Sequence, residues 1–345
     1  MDGTADRRAW RSFARTFAVV AAAAAALAAV VVAAADPYGL RAAPRHPPGP
    51  LMDLNQRYMY PQVVRSGAYD AAVFGTSTAR LLDPHQLDAA FHARFANLAM
   101  NAATPWEQAQ LAALFLRTTR PKALILSLDA TWCEADADAK RLTFRAFPPW
   151  LYGDAPWRGY AHQVNLRSLE IAGRVAANRL LGEARAPARI RGDGFEVFVP
   201  PDATYDAARA SAHIHGGSRD EAPAAGPIDT PALAWLEEIL AQAPRDAVRV
   251  VAFMPVHVAA QGRPGGASGE RDRVCKARAA VIARRLGATT VDFRIPSPVT
   301  TRDDNYWDAL HYRLPIGARV VEGLRRALAT GRDDPHGFYT VVPPA

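Results

Sequence analysis

Residues Asp70–Arg80 read DAAVFGTSTAR: four apolar residues, Ala71 to Phe74, run into a Gly-Thr-Ser-Thr turn. A short apolar run without alternation, stopped by glycine, is the pattern of a strand buried on both faces. The same pattern recurs at FANLAM (95–100), ALILSLD (123–129), VRVVAFMPV (248–256) and TTVDF (289–293). Between these runs lie stretches with helical spacing: 85–94, 105–119, 230–243, 270–287 and, last, 314–331. Strands that alternate with helices predict an α/β fold, with right-handed crossovers and a five-stranded parallel sheet covered on both faces. Residues 132–218 break the rhythm with aromatics, arginine and proline, and read as an insertion above one sheet edge rather than a separate domain.

Ahead of this region stands a different kind of segment. Arg7, Arg8, Arg11 and Arg15 precede an uncharged apolar run, 17–35. Nineteen helical residues rise about 28 Å, close to the hydrocarbon thickness of a bilayer. The positive flank assigns residues 1–16 to the cytoplasm and sends the rest of the chain across the membrane. Two readings compete: an anchor that is retained, which the length of the run favours, and a signal peptide cut after Ala35. Residues 36–60, rich in proline and glycine, read as a juxtamembrane linker, 61–331 as the folded domain and 332–345 as a tail.

Half of the 345 residues are hydrophobic and the net charge is only +7, without a dense basic tract, which excludes nucleic acid as the main partner. Two cysteines, Cys133 and Cys275, are too few for a structural zinc centre; whether they pair is open at this level. His213 and His215 lack a third ligand at useful spacing, so no metal and no cofactor is expected.

In an open parallel sheet, chemistry collects where strands end. Ser77 lies just past the first strand, and DALH (308–311) comes after the fifth. A serine in a tight turn, an imidazole to take its proton and a carboxylate to orient the imidazole are the parts of nucleophilic ester chemistry. The i, i+3 spacing of Asp308 and His311 lets both side chains share one side of a helical turn. His257, ending the fourth strand, and Arg80, three residues after Ser77, are candidate substrate contacts. For Arg80 a surface ion pair competes with that role. Trp150, Tyr152, Trp157 and Tyr160 of the insertion serve either core packing or stacking on sugar rings.

Three blocks carry a resemblance: Gly75-Thr76-Ser77, Asn97 to Thr104 (NLAMNAAT) and Asp308-Ala309-Leu310-His311. Together they resemble the SGNH hydrolase superfamily, most of all its membrane-anchored envelope members related to alginate O-acetylation and teichoic-acid D-alanylation factors. The resemblance implies a flavodoxin-like three-layer sandwich of SGNH type and a Ser77, Asp308, His311 triad. It also implies an oxyanion hole drawn from Ser77, Ala102 at the family's glycine position, Asn101, and Asp129 near the family's asparagine. The implied protein is a serine esterase or O-acyltransferase held in the bacterial inner membrane. Its domain lies in the periplasm and acts on acyl esters of an envelope glycan, with a membrane acyl-donor protein as a possible partner. Asp129 for asparagine and Ala102 for glycine motivate a second expectation, a catalytically weak glycan-binding scaffold.

Overall fold

The computed structural model describes residues 3–41, 48–49, 51–217 and 226–344. Six strands form one sheet in the order β2-β1-β3-β4-β5-β6. They are β1 (Ala71–Phe74), β2 (Phe95–Asn97), β3 (Ala123–Ser127), β4 (Val248–Phe253), β5 (Thr289–Asp292) and β6 (Thr340–Val342). The first five are parallel, in register Val73↔Asn97, Phe74↔Leu126, Ser127↔Ala252 and Phe253↔Asp292. β6 is antiparallel to β5, so part of the stretch read as a tail instead covers the sheet edge. Three residues are too short to show a period, and the pairing partner is about fifty positions away.

The described residues form nine α-helices: α1 (Gly3–Ala35), α2 (Gln56–Arg65), α3 (Pro84–Phe91), α4 (Pro105–Thr118), α5 (Leu166–Leu181), α6 (Ala207–His215), α7 (Leu233–Gln242), α8 (Ala267–Arg285) and α9 (Leu314–Thr330). Strand side chains alternate between two cores, as a pleat requires. Phe74, Leu124, Leu126, Val251 and Phe253 join Leu111 and Phe115 of α4, Leu236 of α7 and Ala279 of α8. Val73, Ile125, Val250, Ala252 and Val291 join Leu87 of α3 and Ile316, Val320 and Leu324 of α9. The chain steps outward from β1 to β2 and then back past β1 to β3, so the strand order reverses between β1 and β3. A crevice opens there at the carboxyl ends.

Residues 6–35 are long and apolar enough to cross a membrane. The last turns of α1 pack on the rest of the chain: Val32 and Ala35 are buried with Ile171, Ala172 and Val175 of α5. The segment read as a linker is largely packed. Leu51 and Met52 are buried, Leu51 bridges to Ile190, and α2 begins at Gln56; residues 42–47 and 50 of it lie outside the described residues. The insertion packs into the first core through Leu151, Tyr152 and α5. Cys133 and Cys275 are joined by a disulfide that ties the end of β3 to α8.

Candidate active site

Ser77 opens a single 3₁₀ turn, Ser77–Ala79, immediately after β1. Gly75 is required at the approach: a Cβ there would sit 2.8 Å from Ser127 Cβ on β3. Buried Asn97, at the end of β2, holds the turn from behind. Its Nδ2 donates to Ala79 O at 2.9 Å, Leu82 O at 2.8 Å and Arg80 O at 3.3 Å, while its Oδ1 accepts the Ala99 N–H. Buried Tyr312 donates its hydroxyl to Thr78 O at 2.6 Å. The residue after the histidine thus fixes the residue after the serine.

His311 Nε2 lies 2.9 Å from Ser77 Oγ, and His311 Nδ1 lies 2.8 Å from Asp308 Oδ2. Asp308 and His311 do not share a helical turn, as their spacing had implied. They sit in a loop closed by the Tyr306↔Tyr312 bridge, before α9 begins at Leu314. Asp308 Oδ1 accepts the N–H groups of Leu310 and His311, at 2.8 and 2.9 Å, and this turn aims the ring. Burial pushes the Asp308 carboxyl up, but the His311 ring and these two N–H groups outweigh it and hold it below its ordinary value.

Segments of the insertion wall the site. The Phe198 ring meets His311 edge-on at 5.4 Å, and the Arg80 guanidinium lies 4.4 Å over the Phe198 ring. Arg80 is buried and paired with Glu196, so its charge is met from within the protein. Burial pushes the Glu196 carboxyl up, and the Arg80 charge only partly opposes this. A cleft of about 300 Å³ borders Asp308 and is lined by Pro200, Arg209 and His213 of α6, and Trp307. In the insertion, Tyr152 is buried against Phe147 and Trp150 packs on Tyr38, whereas Trp157 is exposed.

Bonds from Leu98 N to Val73 O and from Met100 N to Gly75 O continue the β1–β2 pairing past the strand ends. The chain turns at Asn101 and Ala102, just past the bond that ties Met100 to Gly75, which itself lies two residues before Ser77. Ala102 adopts φ +50°, the left-handed conformation that glycine favours. Among the described residues, neither Ser77 N–H nor Ala102 N–H meets a protein acceptor. Asp129 caps the 3₁₀ turn after β3: its Oδ1 accepts the Thr131 N–H at 2.9 Å and the Thr131 hydroxyl at 2.5 Å. It brings acceptor oxygens, not an N–H, to that strand end.

His257 is buried and faces Asp303, with Nε2 3.2 Å from Oδ1; His215 Nε2 lies 3.0 and 3.1 Å from the two carboxylate oxygens. The ligand atoms of these three lie within 4.8 Å of one another. The Ala259 N–H donates to His257 Nδ1, which leaves Nε2 as the proton-bearing nitrogen of the neutral ring. A metal at this cluster would need the Nε2 lone pair in place of that proton; as it stands, the cluster is a carboxylate flanked by two imidazoles. It fastens α6 to the loop that carries Asp308. Asp303 is therefore tied down within the protein rather than solvated. Burial pushes its carboxyl up, and the hydrogen bonds from Ser211 and His215 more than reverse this.

Sequence reasoning gives no role to Asn97, although it opens the second resemblance block, nor to Tyr312, Glu196 and Phe198. An asparagine inside the apolar run FANLAM was the one visible signal, since a buried polar group must be satisfied by something specific. No family model matches the chain, and no curated protein matches it.

Proposed function

We propose that this chain is a serine esterase or O-acyltransferase of SGNH type, anchored by α1 with its domain exported to the periplasm, acting on acyl esters of an envelope polysaccharide. The observation that carries this is the continuous chain from Ser77 Oγ through His311 to Asp308 at 2.9 and 2.8 Å. It stands at the strand ends beside an open cleft. The glycan substrate, the acyl-donor partner and the orientation in the membrane rest on the resemblance and on the arginines before the apolar run of α1.

In this reading Ser77 Oγ adds to the ester carbonyl carbon while its proton passes to His311 Nε2. The carbonyl π pair moves onto oxygen, where the Ser77 and Ala102 N–H groups receive it. Asp308, ionised, keeps the Nδ1 proton in place and offsets the charge on the imidazolium. Collapse restores the carbonyl, breaks the ester C–O bond and returns the proton to the departing alcohol. Water or a sugar hydroxyl then attacks the acyl-serine by the same proton route. Esterase and transferase differ only in that acceptor.

Ser77→Ala should lower turnover of 4-nitrophenyl acetate roughly a thousandfold or more and abolish labelling by a fluorophosphonate probe. Turnover that survives the substitution unchanged sinks the serine mechanism. A second reading, a scaffold that binds glycan without turning it over, draws on Asp129 presenting acceptors where a donor would help. It predicts glycan binding with no Ser77-dependent labelling.

A further inference from the structure

Arg57, on α2, and Glu107, on α4, form an ion pair in which neither side chain is exposed to solvent. Arg57 Nε donates to Glu107 Oε1 at 2.8 Å and Nη2 to Oε2 at 2.5 Å. Such a pair is a weak source of stability, because apolar residues of the same volume generally serve as well. An apolar pair could not do what the rest of this guanidinium does. Nη1 donates to Asn101 O at 3.1 Å, and Nη2 to Ala102 O at 3.3 Å and Thr143 Oγ1 at 3.2 Å. Glu107 adds a hold on the same turn, accepting the Thr104 N–H at 3.0 Å while its own N–H donates to Thr104 Oγ1.

The C=O and N–H of a trans peptide point in opposite directions within one plane. Drawing the Asn101 carbonyl inward to Arg57 therefore turns the Ala102 N–H outward, to the exposed side of this turn, two residues past the Met100–Gly75 bond that leads toward Ser77. Holding the next carbonyl as well keeps Ala102 at φ +50°, which an alanine would otherwise leave. We propose that Arg57 is a positioning residue for the oxyanion site: anchored by Glu107, it aims the Ala102 N–H at the oxygen that becomes negative when Ser77 attacks.

The inference rests on the hydrolase reading above, so its test keeps the two apart. In the full-length chain, Arg57→Met combined with Glu107→Gln removes the pair without leaving a buried charge, and glutamine retains the cap on Thr104. With 4-nitrophenyl acetate, kcat should fall by roughly 10- to 100-fold while KM stays within about twofold, since the lost interaction belongs to the transition state. The rate of fluorophosphonate labelling should fall in parallel. Arg57→Lys keeps a charge for Glu107 but cannot reach both carbonyls, and should lose kcat even if the double variant does not fold. Unchanged kcat in a folded variant, or a loss confined to KM, overturns the role of Arg57 and leaves the hydrolase reading intact. A wild-type chain without Ser77-dependent turnover overturns both.

Discussion

The left-handed backbone of Ala102 costs about 1 kcal/mol that a glycine would not incur, and the strain sits in the turn just beyond β2. Ala102→Gly should accordingly stabilise the domain by roughly 0.5–1 kcal/mol, the gain being trimmed by the greater freedom of glycine in the unfolded chain. Urea titration checks this, and a variant less stable than wild type would mean that the Ala102 methyl makes packing contacts worth more than the strain. Asn101-Ala102-Ala103 does not show this strain by itself, because alanine is seldom associated with positive φ; the pointer to it is the resemblance, which puts Ala102 at a glycine position. The grouping of Ser77, Asp308 and His311, by contrast, was legible at this scale. Ser77 stands just after a strand and a glycine, and Asp308 and His311 lie at a fixed short spacing near the end of the domain.

At the scale of elements, the end of β2 does more than add a strand to the sheet. Asn97 satisfies three carbonyls of the turn that begins at Ser77, all from a buried position. Asn97→Asp keeps the shape but sets carboxylate oxygens against those carbonyls. It should destabilise the domain by about 2–3 kcal/mol or more, beyond the effect of Asn97→Ala, because buried acceptors then face one another. An Asp variant that melts with wild type would show that the turn is held by Tyr312 and the local backbone alone. The five parallel strands and the helices between them were legible because apolar runs and helical spacing are local signals. The braces were not. Asn97 reaches back 15 to 18 residues, and Tyr312 reaches Thr78 across 234, distances over which one sequence carries no pairing information. The loop closed by Tyr306 and Tyr312 resembles a helix opening for a related reason: an aspartate that caps a helix and one that closes an Asx turn look alike in sequence.

For the molecule as a whole, the question is what joins the insertion, the sheet and the apolar helix into one unit. At 1.5 Å per residue, the 30 apolar-rich residues of α1 rise about 45 Å, more than the roughly 30 Å of a bilayer core. The end of this helix is the part packed on α5, which seats the domain directly at the end of the apolar helix. The Cys133–Cys275 disulfide closes a separation of 142 residues that contains the insertion, α7 and β4. A bridge of that span withdraws a large loop entropy from the unfolded chain, about 2–5 kcal/mol in practice. Disulfides persist mainly in oxidising compartments, which supports the export proposed from the arginines before the apolar run. Replacing both cysteines with alanine should therefore lower the melting temperature by roughly 5–10 °C. Because the loop runs from the strand beside β1 to a helix in the same core, the loss should appear as a single cooperative transition. Two separate transitions would show that the insertion melts independently of the sheet, and an unchanged melting temperature would show that packing around both buried sulfurs already supplies what the bridge adds.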